Sequence, residues 1–102
     1  MDRATALPVL DPLVHEPARL RVLVVLAMVE SADFMYLLRQ AGLSRGNLSV
    51  QMSRLEDAGL VASTKRVVDG RVRTSYVLSP AGHEALRTYR AAMREVLAAI
   101  GD

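Results

Sequence analysis

Two helix-ending glycines, Gly42 and Gly59, and one Asp-Gly pair punctuate the middle of the chain, and this punctuation limits the folds open to it. Gly42 closes a helix expected over about residues 34–41, with Ser31 or Asp33 as its cap and Phe34, Leu37 and Leu38 on its apolar stripe. After Leu43, Ser44 caps a second helix that runs to Ala58 and stops at Gly59. Two helices joined by a short turn around a glycine form a helix-turn-helix candidate. Two β-rich runs follow, Val61–Val68 and Arg71–Leu78, and the Asp69-Gly70 pair between them favours a two-residue type I′ hairpin. Upstream, Asp11-Pro12 marks a short first helical turn, and Pro17 suits the first position of a helix reaching about Val29. Downstream, Ser79-Pro80 opens a last helix that extends to about Ile100. The order is helix, helix, helix, hairpin, helix. Over 102 residues it predicts one domain, 1–102, mainly α with a β-hairpin and so α+β in class.

Apolar patterning separates the inner helices from the outer ones. Aromatic residues are only 4% of a chain that is 51% hydrophobic, so the core must be built from Leu, Val, Ala and Met. The helix from Pro17 is apolar on nearly every side, through Leu20, Val22, Leu23, Val24, Val25, Leu26, Met28 and Val29. Such a helix is buried all round. In a domain this small, one face is expected to meet its own core and another a second subunit. The last helix carries Leu86, Tyr89, Met93, Val96 and Ile100 at steps of three and four, a heptad-like seam. The homodimer interface is therefore expected to use Leu13, Val22, Val25, Leu86, Tyr89, Met93, Val96, Leu97 and Ile100, with the helices in 1–30 and 79–102 serving dimerisation. The competing reading packs the same seam on the domain's own core. Arg87, Arg90 and Arg94 beside it are expected to be solvated or paired with Glu84 and Glu95.

Several classes of function find no support. The chain has no cysteine, which removes disulfides and thiolate metal sites and fits a reducing cytoplasm. Its longest apolar run, Val22 to Val29, is too short to span a bilayer, and its start does not resemble a secretion signal. His15 and His83, without cysteine partners, are expected to be structural, so no metal and no other cofactor is called for. There is no nucleophile motif, no glycine-rich phosphate loop and no paired carboxylates, so no enzyme is expected. Charge is distributed unevenly. Residues 34–83 hold six arginines and one lysine against Glu56, Asp57 and Asp69, a net +4 on a chain of +2. On charge alone, a polyanionic partner and a solvated basic surface fit equally.

The helix from Ser44 sharpens that choice. At 100° per residue, Leu48, Met52, Leu55 and Gly59 share the core side, and Gly46, Asn47, Ser49, Val50, Ser53, Arg54 and Asp57 lie opposite. Its N-terminal half is free of acids, and a helix entering the DNA major groove presents its N-terminal residues to base edges. Arg45 suits guanine, Asn47 suits adenine or a phosphate, Ser44, Ser49, Gln51 and Ser53 suit either bases or phosphates, and Arg54 adds charge. Val50 suits a thymine methyl. In the hairpin, pairing across the turn sets Val61, Val67, Val72, Tyr76 and Leu78 on one face, expected to meet the core. Thr64, Arg66, Arg71, Arg73 and Ser75 take the other, and Arg66 falls directly opposite Arg73. Like charges facing across strands are destabilising by on the order of a few tenths of a kcal/mol, an effect that a phosphate between them reverses. Lys65, Arg66, Arg71 and Arg73 are the expected phosphate contacts. The alternative is a charged edge that prevents strand-to-strand aggregation.

These residues also carry a resemblance. The run "LDPLVHEPARL" (10–20), the segments "GLSRGNLSVQMSRLEDAGLV" (42–61) and "RTSYVLSPAGHEAL" (73–86), and the following Tyr89 are similar to a family of small bacterial and archaeal winged helix-turn-helix DNA-binding regulators, grouped near the MarR and ArsR types. The resemblance spans about residues 9–93. It implies a winged helix-turn-helix fold with the hairpin as wing, a homodimer, and regulation of transcription through operator binding. Where this chain has Gln51 and Met52, such proteins commonly carry His and Leu. The expected function is thus a homodimeric, sequence-specific regulator of double-stranded DNA, a repressor on a pseudo-palindromic operator. The alternative is a winged-helix protein–protein interaction module without DNA binding. A small-molecule effector between the first helix and its dimer mate is open, and no polar constellation identifies one.

Overall fold

The computed structural model of the protein describes residues 6–101, so the ends of the expected domain, residues 1–5 and 102, lie outside the described residues. Seven elements follow one another: α1 (Pro17–Ala27), β1 (Ala32–Asp33), α2 (Phe34–Ala41), α3 (Arg45–Asp57), β2 (Val61–Val68), β3 (Arg71–Leu78) and α4 (Pro80–Ile100).

Local chemistry accounts for most of the boundaries. Pro17 starts α1, and the Glu16 carboxylate caps it by accepting from the Arg19 backbone N–H at 2.8 Å. The helix ends at Ala27, two residues before Val29. Of the two cap candidates for α2, Asp33 is the cap, its Oδ1 accepting from the Tyr36 N–H at 2.8 Å. Gly42 ends α2 in the left-handed region at φ 68°. Ser44 Oγ caps α3 by accepting from the Asn47 N–H at 3.1 Å. Asp69 and Gly70 both have positive φ, 52° and 75°, as a type I′ turn requires. Ser79 caps α4 by accepting from the Gly82 N–H at 3.0 Å, with Pro80 in the first turn.

The sheet has three antiparallel strands in the order β1-β3-β2. The hairpin register matches expectation from Val61 opposite Leu78 to Val68 opposite Arg71. The third strand was not expected: Ala32 and Asp33 pair with Tyr76 and Ser75 at the base of the hairpin. This two-residue strand is too short to show a period.

The fold is a winged helix-turn-helix, α+β in class. Its core is aliphatic and centres on α1. Val14, Val22, Leu23, Leu26, Leu37, Leu48 and Leu55 are fully buried, and Tyr89 is the sole buried aromatic residue among those described. Burying a leucine of this kind contributes about 1.5–3 kcal/mol. Gly82 lets the start of α4 lie against Leu60, where an added Cβ would fall 2.1 Å from the Leu60 carbonyl oxygen. One expectation fails at the wing. Val67 and Val72, expected on a core-facing side, are 73% and 68% exposed. Strand alternation assigned their face correctly, yet the core lies only beneath the base of the hairpin, at Val61, Tyr76 and Leu78. The outer hairpin and the end of α4 extend past it, and the radius of gyration is 16.2 Å. A compact domain of this length has about 13 Å.

Candidate nucleic-acid interface

Helix α3 divides as its sequence implies, with one exception. Leu48, Met52 and Leu55 are buried, anchoring the helix on α1 and α2. Arg45, Gly46, Asn47, Ser49, Ser53 and Arg54 are exposed, and Val50 stands half in solvent beside them. Ser44 is exposed too, its Oγ engaged as cap. The exception is Gln51, expected at DNA but buried at 8% exposure. Its Oε1 accepts from Arg19 Nη1 at 3.0 Å and its Nε2 donates to Asn47 Oδ1 at 2.9 Å. Both ends of the amide are occupied inside the protein, so Gln51 supports the exposed surface instead of belonging to it.

Arg19 is the participant that sequence reading missed. It is half-buried on α1, with Nε donating to the Leu13 carbonyl at 2.6 Å and Nη2 to the Pro12 carbonyl at 3.2 Å. The available signal was an arginine within an almost wholly apolar helix, where a buried charge requires partners.

The charges of α3 run against its own dipole. A helix is stabilised by anions at its start and cations at its end, by about 0.3–1 kcal/mol each. Here Arg45 occupies the first position, the first turn holds no acid, and Glu56 and Asp57 outnumber Arg54 in the last turn. Helix stability does not account for this layout, whereas an anionic partner at the N-terminal half does. On the wing, Lys65, Arg66, Arg71 and Arg73 are all exposed, and Arg66 and Arg73 are cross-strand partners. Among the described residues the one ion pair joins Arg87 to Glu84, so none of the six cations on α3 and the wing is neutralised by a protein acid. At the base of the wing, burial first and the Glu56 carboxylate second raise the Tyr76 phenol above its ordinary value.

The expected dimer residues separate into two groups. Val22 is fully buried and serves its own core, a correction to its assignment at the interface. Tyr89 is buried at 7% exposure, with its hydroxyl 2.8 Å from His15 Nδ1, and it lines the groove between α1 and α4. Leu13, Val25, Leu86 and Met93 are half-buried against the core, and Val96 is half-buried as well. Leu97 and Ile100 are 57% and 72% exposed. An open groove of about 530 Å³ lies between α1 and α4, lined on its apolar side by Leu20, Val24, Leu86, Met93 and Leu97. Among the described residues no helix is long and apolar enough to cross a membrane.

A helix-turn-helix followed by a basic two-stranded wing is the architecture of known DNA-binding proteins, and a model described as a winged helix DNA-binding domain matches residues 18–97. The chain belongs to this winged helix family. It is similar to the transcriptional regulator Rv3488 of Mycobacterium tuberculosis, with 47% identity over 53 residues, 52% of this chain and 50% of that protein. The chain thus matches half the length of that relative. The structure of a transcriptional regulator homologue from Pyrococcus horikoshii superposes with a TM-score of 0.81 at 26% identity, covering 88% of this chain and 89% of that one. A MarR-family transcriptional regulator from Silicibacter pomeroyi gives a TM-score of 0.63 at 26% identity, over 84% of this chain and 55% of that one. This winged helix is accordingly a DNA-binding transcription regulator.

Proposed function

We propose that this winged helix acts as a homodimeric repressor on a pseudo-palindromic operator in double-stranded DNA. The N-terminal half of α3 lies in the major groove, where Arg45, Asn47, Ser49, Val50 and Ser53 face base edges and Ser44 and Arg54 the flanking backbone. Lys65, Arg66, Arg71 and Arg73 on the wing hold phosphates or enter the adjacent minor groove. The observation that carries this reading is the set of six exposed cations on α3 and the wing without a protein counter-ion. Phosphates are the partner chemistry that relieves the Arg66–Arg73 opposition.

A second copy covers the groove between α1 and α4 and the apolar end of α4, where Leu97 and Ile100 are otherwise left in water. Two-fold symmetry then sets the half-sites about 10 bp apart, centre to centre, or a multiple of that. A regulator of this kind works where the DNA is, in the cytoplasm of a prokaryotic cell. Selection of bound sequences from a random duplex library tests the reading. Enrichment of a palindrome is the expected result. No enrichment at low salt would favour a protein-binding module instead.

A further inference from the structure

Arg19, Gln51 and Asn47 form a chain of hydrogen bonds whose direction is determined at one end. A guanidinium has five donors and no acceptor. Two of its arms are tied to the carbonyls of Leu13 and Pro12, and the third points at Gln51. Gln51 must therefore turn its oxygen toward Arg19, which leaves only its NH2 for Asn47. An NH2 group cannot accept, so Asn47 must turn its own oxygen inward, where it lies 2.9 Å from Gln51 Nε2. Amide orientations are settled by the network around them, and here a donor-only residue leaves a single consistent solution. Asn47 is exposed on the N-terminal half of α3, and what it presents outward is its NH2.

That orientation has a consequence for base reading. Asparagine reads adenine by using both halves of its amide, accepting from N6 and donating to N7. With its oxygen turned inward onto Gln51 and its NH2 outward, Asn47 matches edges that offer acceptors, and guanine, with O6 and N7, is the purine that offers two. We propose that Arg19 and Gln51 are positioning residues for sequence readout: acting through Asn47, they make α3 prefer guanine over adenine at one position of each half-site. The proposal rests on the DNA-binding reading above and replaces both contacts expected of Asn47 from sequence, adenine or a phosphate, with guanine.

The test is library selection with the full chain and three variants. Asn47→Ala locates the position, where preference should flatten while the rest of the motif persists. Gln51→Glu retains an acceptor for Arg19 but has no donor for Asn47. Asn47 then turns its NH2 inward and its oxygen outward, and the position should switch from guanine to a base with an exocyclic amine, cytosine or adenine. The change in preference should be on the order of tenfold, the scale of a good base contact. Gln51→Met keeps length and burial and removes both bonds, so the position should broaden without inverting. If Gln51→Glu does not fold, Gln51→Met alone decides. An unchanged motif in Asn47→Ala means that Asn47 meets only phosphate and overturns the proposal, as does retained guanine preference in both Gln51 variants. Failure of the parent chain to enrich any sequence overturns the DNA-binding reading and the proposal together. An enriched parent motif with unaltered variants overturns the proposal alone.

Discussion

Replacing Arg73 by alanine should move stability and DNA affinity in opposite directions. In the free protein Arg73 faces Arg66 across the wing, both exposed and neither paired with an acid. Removing it relieves a like-charge opposition worth on the order of a few tenths of a kcal/mol, so the variant should unfold at the same denaturant concentration or slightly above. On DNA the same side chain is proposed to hold a phosphate. Each neutralised phosphate contributes about 0.9 to the slope of log K against log salt, so a dimer that loses one contact per wing should show a slope shallower by about 1.8. Extrapolated from about 1 M to about 0.1 M salt, that difference is roughly sixtyfold in affinity, or about 2.5 kcal/mol. The loss should apply to operator and unrelated duplexes alike, because phosphate contacts carry no base information. Fluorescence anisotropy with labelled duplexes at four or five salt concentrations measures the slope directly. A change near 0.9 would indicate one wing per complex and refute the dimer. An unchanged slope would remove Arg73 from the DNA, leaving the wing charges as protection against edge aggregation.

Three further outcomes follow from the geometry. Leu97→Glu combined with Ile100→Glu places charges where α4 is exposed in the protomer, so sedimentation should show a folded monomer whose thermal transition no longer depends on protein concentration; a persisting dimer would exclude this end of α4 from the interface. Gly82→Ala should destabilise by about 1–3 kcal/mol despite alanine's better helix propensity, because the new methyl meets the Leu60 carbonyl oxygen, a backbone atom that cannot rotate away; equal or higher stability in denaturant titration would contradict the packing. The Tyr76 phenol is raised in the folded state, so its contribution to stability is fully present below the ordinary tyrosine value and lost as pH climbs through the raised one. Tyr76→Phe should flatten the alkaline limb of stability against pH, and parallel limbs in parent and variant would refute the assignment.

What the sequence made legible, and what it hid, separates by the range of the interactions involved. Gly42, Ser44, Asp69-Gly70 and Ser79-Pro80 act on their own backbone within a few residues, so the order of the helices and the hairpin, and the hairpin register, follow from local sequence. The exposed arc of α3 followed from helical angle. The face of Val67 and Val72 followed from alternation, but how far the core reaches under a strand depends on what packs beneath it, and no local period reports that. Gln51 shows the same limit more sharply. Its position between the buried and exposed arcs is ambiguous by angle, and Arg19, 32 residues away, decides it. The family resemblance, too, left Gln51 free to meet DNA, because the partner that withdraws it lies on another helix. The charge layout leads the other way. Arg45 at the start of α3, acids at its end, and Arg66 against Arg73 are each unfavourable for the isolated fold, and each is visible in sequence once the elements are placed. Local conflicts of this kind concentrate where a partner is to bind, since the partner supplies the compensating charge. The features that stabilise the fold least therefore coincide with the proposed DNA surface, and the polar chain of Arg19, Gln51 and Asn47 lies directly behind it.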